Sequence, residues 1–212
     1  MKKQWNLRVG RVQTNCFIVA DAETGEAVVI DPGDSAERIL SVIKVNNLNV
    51  KYIFLTHGHF DHIMAVSAVK AATGALVVIH EADAARLTDG RQALAPVLRR
   101  GELTAGADIT VRGGESFDVG NLRFEWLHTP GHTPGSCVII CGDALYTGDT
   151  LFEGDCGRCD LPGGDYGKIL ASLRLIAALP GDYEVFPGHD VFTTLERERC
   201  GNGSMLEAMR AK

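Results

Sequence analysis

Short apolar runs alternate with longer amphipathic segments along this chain. The runs are rich in β-branched and aromatic residues and end at glycine, proline or polar residues, which is the pattern of buried strands. They predict strands at residues 16–19, 27–30, 52–55, 76–79, 122–127, 136–141 and 183–186. The amphipathic segments predict helices over 35–47, 61–73, 81–87 and 166–178. The expected fold class is therefore α/β.

Two of the predicted helices also carry end signals. Ser35 precedes one periodic segment and is expected to be its N-cap, and Gly74 follows another and is expected at the C′ position. Residues 90–110 are interpreted as a helix plus a connecting loop. Strands followed by helices recur on both sides of about residue 105, which is compatible with two sheet-and-helix halves packed face to face.

Length and composition indicate a globular protein with one sizeable core. The chain has 212 residues, 45% of them hydrophobic, and we expect a single domain over 1–212. No apolar stretch of signal-peptide or membrane-span length occurs near the N-terminus, so a cytoplasmic location and no membrane partner are expected. The net charge of −6 provides no basic face for nucleic acid and favours a small-molecule partner. The oligomeric state is not predicted.

The six cysteines are expected to be free thiols. Cys16, Cys137 and Cys141 lie in apolar, strand-like runs, and a chain of this size does not need disulfides to stabilise its core.

Candidate chemistry is concentrated in THGHFDH, residues 56–62, which holds three of the seven histidines of the chain. Alternate residues at the end of a strand point to one side, about 6 to 7 Å apart. His57 and His59 are therefore expected to converge on one metal ion. Asp61 and His62 follow where a helix begins, and they either cap that helix or face a second ion.

Three further polar residues end strand-like runs beside glycine or proline: His132, Asp149 and His189. Loops at strand ends often carry the chemistry of a rigid scaffold. Together with the residues of 56–62, they make seven potential ligands. Seven are too many for one tetrahedral ion and suit two ions that share a carboxylate, so we predict a dinuclear site.

The ordered motifs H-x-H-x-D-H, T-P-G-H-T-x-G, G-D-T-L-F, G-R-x-D-L-P and P-G-H resemble the metallo-β-lactamase superfamily, and most of all its glyoxalase II-like hydrolases. The resemblance runs from about Gln13 to His189. It implies an αββα sandwich of two packed mixed sheets with helices on the outer faces. Because only 23 residues follow His189, the C-terminal helical glutathione-binding domain of eukaryotic-type glyoxalase II is expected to be absent.

The resemblance also assigns ligands. It implies that His57, His59 and His132 hold the first metal, that Asp61, His62 and His189 hold the second, and that Asp149 bridges them. The cofactors are then two divalent ions, with zinc expected and iron or manganese compatible.

Such a site is suited to hydrolysis of thioesters. A solvent molecule flanked by two ions has a pKa of about 7 and supplies hydroxide as the nucleophile. A thiolate leaving group, with a thiol pKa near 8.5, departs without a dedicated acid. Asp61 is expected to orient the attacking hydroxide as well as to bind metal. The resemblance implies an S-acylglutathione substrate such as S-lactoylglutathione.

The alternative is a mono-iron glutathione persulfide dioxygenase of the same superfamily, with ligands at His57, His132 and Asp149. A secreted β-lactamase is disfavoured because no signal peptide is evident, and an RNA-processing nuclease because the chain is acidic. A non-catalytic binding module predicts damaged ligand positions, whereas all seven match the family pattern.

Several polar residues near the motifs have other expected roles. Asp31 either forms a turn or orients a ligand histidine. His80 is expected to be a strand-end histidine without function, and His128 to be structural or to support the ligands. Cys156 and Cys159 are interpreted as loop residues in preference to a redox or metal pair. Arg158 is either a structural ion-pair partner or an anion contact, and no role is expected for Arg197 and Arg199, which are placed on a solvated helical face.

Overall fold

The computed structural model describes residues 1–94 and 105–210. Its first sheet has six strands in chain order: β1 Lys2–Val9, β2 Thr14–Asp21, β3 Glu26–Ile30, β4 Asn49–Phe54, β5 Leu76–His80 and β6 Ile109–Val111. The first three strands are antiparallel neighbours, and β3 to β6 are parallel to one another. The sheet is therefore mixed, as expected.

The second sheet also has six strands: β7 Ser116–Val119, β8 Leu122–His128, β9 Cys137–Cys141, β10 Ala144–Gly148, β13 Glu184–Pro187 and β14 Thr193–Thr194. Their order across the sheet is β14-β13-β10-β9-β8-β7. A separate two-stranded ribbon consists of β11 Leu151–Phe152 and β12 Asp155–Cys156. Strands β10 and β13 are parallel, and the other pairs are antiparallel.

In the described part of the chain, six α-helices and one 3-10 helix accompany the sheets. The α-helices are α1 Ala36–Val45, α2 Phe60–Ile63, α3 Val66–Thr73, α4 Tyr166–Ala177, α5 Leu195–Gly201 and α6 Gly203–Arg210. The 3-10 helix is Glu81–Leu87. Within residues 1–94 and 105–210, no helix has the length and apolarity needed to cross a membrane.

Three buried clusters arrange these elements in four layers. Alternate residues of β2 point to opposite sides, so Ile18 packs with the residues of α1 and α3 while Phe17 packs between the two sheets. On the far side of the second sheet, Leu145 packs with residues of α4, α5 and α6. This layering confirms the αββα sandwich.

Aromatic side chains fill the space between the sheets. The ring of Phe54, fully buried at the end of β4, lies 5.4 Å from that of Phe124 and 5.6 Å from that of Trp126. These contacts join β4 to β8, and both strands lead directly into loops that carry predicted ligands.

Some local predictions are wrong. The helix expected over 61–73 is divided into α2 and α3. Ser35 makes no side-chain capping bond, because it has a left-handed φ of +56° instead of the extended backbone of an N-cap. Of residues 90–110, the segment 95–104 lies outside the described residues, and Ile109–Val111 is a strand. Gly74 ends α3 with a left-handed φ of +72° and donates to Lys70 O, as predicted.

Candidate metal centre

All seven predicted ligands lie beyond the carboxyl ends of four strands, at one edge of the sandwich. His57, His59, Asp61 and His62 follow β4, and the other three follow β8, β10 and β13. Asp61 and His62 lie in α2, which begins immediately after His59. The structure thus brings together residues that are as far apart as 132 positions in the sequence.

The ligand atoms form overlapping groups of three, and within each group they lie within 4.8 Å of one another. One group is His57, His59 and His132, and another is Asp61, His62 and His189. These two sets coincide with the two metal-binding sets implied by the sequence resemblance.

Asp149 lies between the two groups. Its Oδ2 is 3.5 Å from Nε2 of His132 and 3.6 Å from Nε2 of His189. Its Oδ1 is 3.4 Å from Nε2 of His62. A carboxylate in this position contacts both groups at once, as a bridging ligand must.

Several atoms of the cluster are buried without a hydrogen-bond partner among the described residues. They are Nε2 of His57, His59 and His62, and Oδ1 of Asp149. Leaving such groups unpaired is unfavourable, so each requires an explanation. Coordination of metal ions would satisfy all four, and imidazole and carboxylate are donors that divalent metals accept. The residues present therefore fit a metal centre.

The protonation of the first group suits metal binding. Burial, together with the charges of neighbouring imidazoles, lowers the pKa of His57 well below its ordinary value and lowers the pKa of His59 to about 3. Both rings are therefore neutral at physiological pH, with a lone pair free to bind a metal.

The carboxylates are held in the anionic form. Burial would raise the pKa of Asp61, but the charge of His62 and a hydrogen bond with His189 outweigh burial and lower it to about 2. The pKa of Asp149 is also lowered, since the nearby histidines outweigh burial. Conversely, Asp61, Asp149 and Asp31 raise the pKa of His62 despite its burial. Metal binding at His62 would release its proton.

Asp31 orients one of these histidines. Its Oδ1 accepts the Thr56 N–H at 2.8 Å, and its Oδ2 accepts the Thr56 hydroxyl at 2.6 Å and lies 2.9 Å from Nδ1 of His62. Of the two roles that the sequence left open, the structure favours contact with a ligand histidine. His132 is oriented in the same way, since its Nδ1 lies 2.8 Å from the carbonyl oxygen of Arg158.

Sequence reasoning missed two supporting residues. The Thr14 hydroxyl lies 3.3 Å from Oδ2 of Asp61. Asp83, in the 3-10 helix, accepts hydrogen bonds from the loops of both His57 and His132. Neither residue belongs to a motif. Thr14 contacts a residue 47 positions away, and Asp83 contacts residues at least 25 positions away, so the local sequence carries no signal of these contacts.

His80 and His128 lie outside the groups. Their rings stack at 4.0 Å. Nε2 of His80 lies 3.2 Å from the carbonyl oxygen of Arg112, and Nε2 of His128 lies 2.9 Å from that of Pro134. Both rings therefore have hydrogen-bond partners outside the groups.

A cleft of about 520 Å³ opens over the ligands. Phe60, Phe152 and Leu161 line it together with Cys156 and Arg158. The guanidinium of Arg158 makes two 2.7 Å contacts with Asp160, so it is an ion-pair partner that lines the cleft.

The two cysteines of the C-x-x-C pair differ in position: Cys159 is a loop residue, as expected, whereas Cys156 ends strand β12, so the loop interpretation is wrong for Cys156. Cys156 and Cys159 are half-buried free thiols, and burial raises the pKa of both. Neither belongs to a metal-type group among the residues described. The other four cysteines are also free thiols.

Comparison with known proteins gives consistent results. The family model of the metallo-beta-lactamase superfamily matches residues 9–189. The hydroxyacylglutathione hydrolase GloC of Haemophilus influenzae is 35% identical, over 90% of this chain and 92% of that protein.

Two crystal structures are similar over nearly their whole length. The BLEG-1 B3 metallo-beta-lactamase has a TM-score of 0.89 at 35% identity, over 96% of this chain and 99% of that one. The protein TTHA1623, solved in a di-iron-bound form, has a TM-score of 0.83 at 34% identity, over 94% and 98%. With the fold and the ligand geometry, these matches show that the chain belongs to the metallo-beta-lactamase superfamily.

Proposed function

We propose that the protein is a dinuclear metal-dependent hydrolase of thioesters, with an S-acylglutathione such as S-lactoylglutathione as its substrate. The observation that carries this proposal is the pair of three-ligand groups joined by Asp149 at the floor of the cleft. Its unpaired, buried nitrogen and oxygen atoms support metal binding.

In this proposal His57, His59 and His132 hold one divalent ion, Asp61, His62 and His189 hold the other, and Asp149 binds both. Zinc is the metal that we expect, although imidazole and carboxylate also suit iron and manganese. When bound, the two ions would lower the pKa of a water between them and provide positive charge for the oxyanion of the reacting carbonyl.

Asp61 is the residue that we assign to the attacking water. It lines the cleft, and its Oδ2 lies 3.2 Å from Nε2 of His189 and 3.3 Å from the Thr14 hydroxyl. An anionic carboxylate held by two neighbours can accept a hydrogen bond from water and hold it for attack. The pKa of about 2 keeps Asp61 anionic at physiological pH.

The leaving group favours thioesters over amides. An amine must be protonated as it leaves, whereas a thiol has a pKa near 8.5 and leaves as a thiolate. The proposal therefore requires no general acid. The similarity to a hydroxyacylglutathione hydrolase over about nine-tenths of the chain supports glutathione as the thiol.

The test is the rate of S-lactoylglutathione hydrolysis by the purified, metal-loaded protein. We expect turnover by the wild type and by Arg197→Ala, a control whose side chain is 67% exposed, and only background turnover by His57→Ala. Two bound metals without turnover would contradict the thioesterase proposal. One bound iron with oxygen-dependent oxidation of glutathione persulfide would instead support the dioxygenase.

A further inference from the structure

The buried carboxylate of Asp83 contacts both loops that carry the first group of ligands. Its Oδ2 accepts the Gly58 N–H at 2.9 Å and the Thr133 hydroxyl at 2.8 Å, and its Oδ1 accepts the Gly135 N–H at 2.9 Å. Gly58 lies between His57 and His59, and Thr133 directly follows His132. All three first-group ligands are thus adjacent in sequence to a group that Asp83 binds.

The backbone around Asp83 is closely fitted to these loops. A Cβ atom on Gly58 would lie 2.6 Å from Cβ of Arg86, and one on Gly135 would lie 2.7 Å from Cβ of Asp83. Both distances are shorter than carbon atoms tolerate. Only glycine at these two positions allows the 3-10 helix to approach the ligand loops closely enough for the hydrogen bonds.

Arg86 completes the arrangement from the same helix. Its Nε lies 3.2 Å from Oδ1 of Asp83, and its other nitrogens donate to the carbonyl oxygens of Gln92 and Pro162. Asp83 is fully buried and Arg86 is 6% exposed. A buried carboxylate with this many donors is fixed in position, and it fixes the groups that donate to it.

We propose that Asp83, supported by Arg86, is a positioning residue for the first metal ion. It holds the loops of His57, His59 and His132 in register, while the second group depends on other contacts, such as that of Asp31 with His62. This inference rests on the dinuclear site of the proposed function. Replacing a residue that orients a metal ligand typically weakens metal binding by about 10-fold to 100-fold.

The test is a competition titration of Zn²⁺ between the protein and a chromophoric chelator. We expect Asp83→Asn to weaken one of the two ions by about 10-fold to 100-fold and to leave the other within about twofold. In the wild type, the donors face carboxylate oxygens of Asp83. In Asp83→Asn, some of them face an NH₂ group instead, so at least one hydrogen bond is lost.

A matched control separates positioning from loss of stability. Glu198 is also buried and accepts three hydrogen bonds, from the Gly154 N–H, the Thr193 hydroxyl and the Asn202 amide. Glu198→Gln is expected to lower the urea midpoint but to leave both zinc affinities within about twofold, because none of its three donors is adjacent in sequence to a proposed ligand.

A second variant keeps the test decisive if Asp83→Asn does not fold. Thr133→Val removes a single hydroxyl contact with Asp83 and is expected to weaken the same one ion, by a smaller factor. The decisive variant is Asp83→Asn, or Thr133→Val if Asp83→Asn does not fold. The inference is overturned if that variant has the wild-type affinity for both zinc ions, or if its affinity for both falls equally. A wild type that binds fewer than two ions overturns the proposed function as well, whereas two ions without thioesterase turnover overturn the proposed function alone.

Discussion

Replacing Asp31 with Asn tests whether a single buried carboxylate selects the proton position on His62. Asp31 is 2% exposed, and its two oxygens accept from the Thr56 N–H and hydroxyl and contact Nδ1 of His62. Asn retains one acceptor oxygen and presents an NH₂ group on the other side. The substitution adds no backbone strain, because the left-handed φ of +48° at this position is one that Asn tolerates.

The consequence for His62 follows from the tautomer. In a metal-bound protein, Asp31 would hold the proton of His62 on Nδ1, so that Nε2 can coordinate the metal. Against an NH₂ group, Nδ1 must accept, and the proton then lies on Nε2, 3.4 Å from Oδ1 of Asp149. To bind metal through Nε2, His62 must then move its proton back to Nδ1 and give up the hydrogen bond that Nδ1 accepts from the NH₂ group of the substituted side chain.

The magnitude can be estimated from the lost contact. A hydrogen bond to a charged group contributes about 1.5 to 3 kcal/mol to folding. Loss of an orienting partner weakens metal binding by about 10-fold to 100-fold, which corresponds to about 1.4 to 2.8 kcal/mol of binding free energy.

The assays are zinc competition with a chelator and urea unfolding of the metal-free protein. We expect Asp31→Asn to weaken one ion and to reduce the free energy of unfolding. Asp108→Asn is the control, because Asp108 also accepts a backbone N–H, from Val77, and pairs with Lys70, but has no contact with the metal centre. Wild-type affinity for both ions in Asp31→Asn would refute the reasoning.

Three further predictions concern stability, each measured by urea unfolding. Arg199→Ala is expected to lose about 2 kcal/mol, because Arg199 donates to carbonyl oxygens at and beyond the end of α4, whereas the exposed Arg197→Ala should change stability by less than about 0.5 kcal/mol; equal losses would contradict this. Phe54→Ala should cost about 3 to 5 kcal/mol, and a loss below about 1 kcal/mol would show that the space between the sheets collapses around the cavity. In the metal-free protein, folding lowers the pKa of His59 from 6.5 to about 3. The unfolded chain therefore binds more protons, and stability is lost as the pH drops below 6.5. His59→Gln should lose less stability than the wild type between pH 7 and pH 5, and an unchanged pH dependence would refute the shift in pKa.

Much of the candidate site could be predicted because its proposed ligands lie in short motifs. His57 and His59 follow an apolar run at alternate positions, and that spacing alone predicts convergence on one side of the chain. The family resemblance then divided the seven ligands into two sets. The structure places the candidate ligand atoms in three overlapping groups: two match those sets, and the third joins Asp149 to His57 and His62.

The parts that were missed depend on tertiary contacts. Strand β1, Lys2–Val9, was not predicted, because it mixes charged and apolar residues at the edge of its sheet. The sequence predicts a solvated helical face for Arg199, but its side chain reaches the end of α4 and is only 18% exposed. Asp83 reaches Gly58 and Gly135 across 25 and 52 positions, and no local pattern indicates such contacts.

The central claim is that seven side chains hold two metal ions, and anomalous diffraction from crystals of the zinc-loaded protein tests it most directly. Data collected on both sides of the zinc absorption edge locate each ion independently of any assay of turnover. We expect two anomalous peaks about 3.5 to 4 Å apart, one among His57, His59 and His132 and the other among Asp61, His62 and His189, with Asp149 between them. A single peak in the first group, or peaks away from these residues, would contradict it.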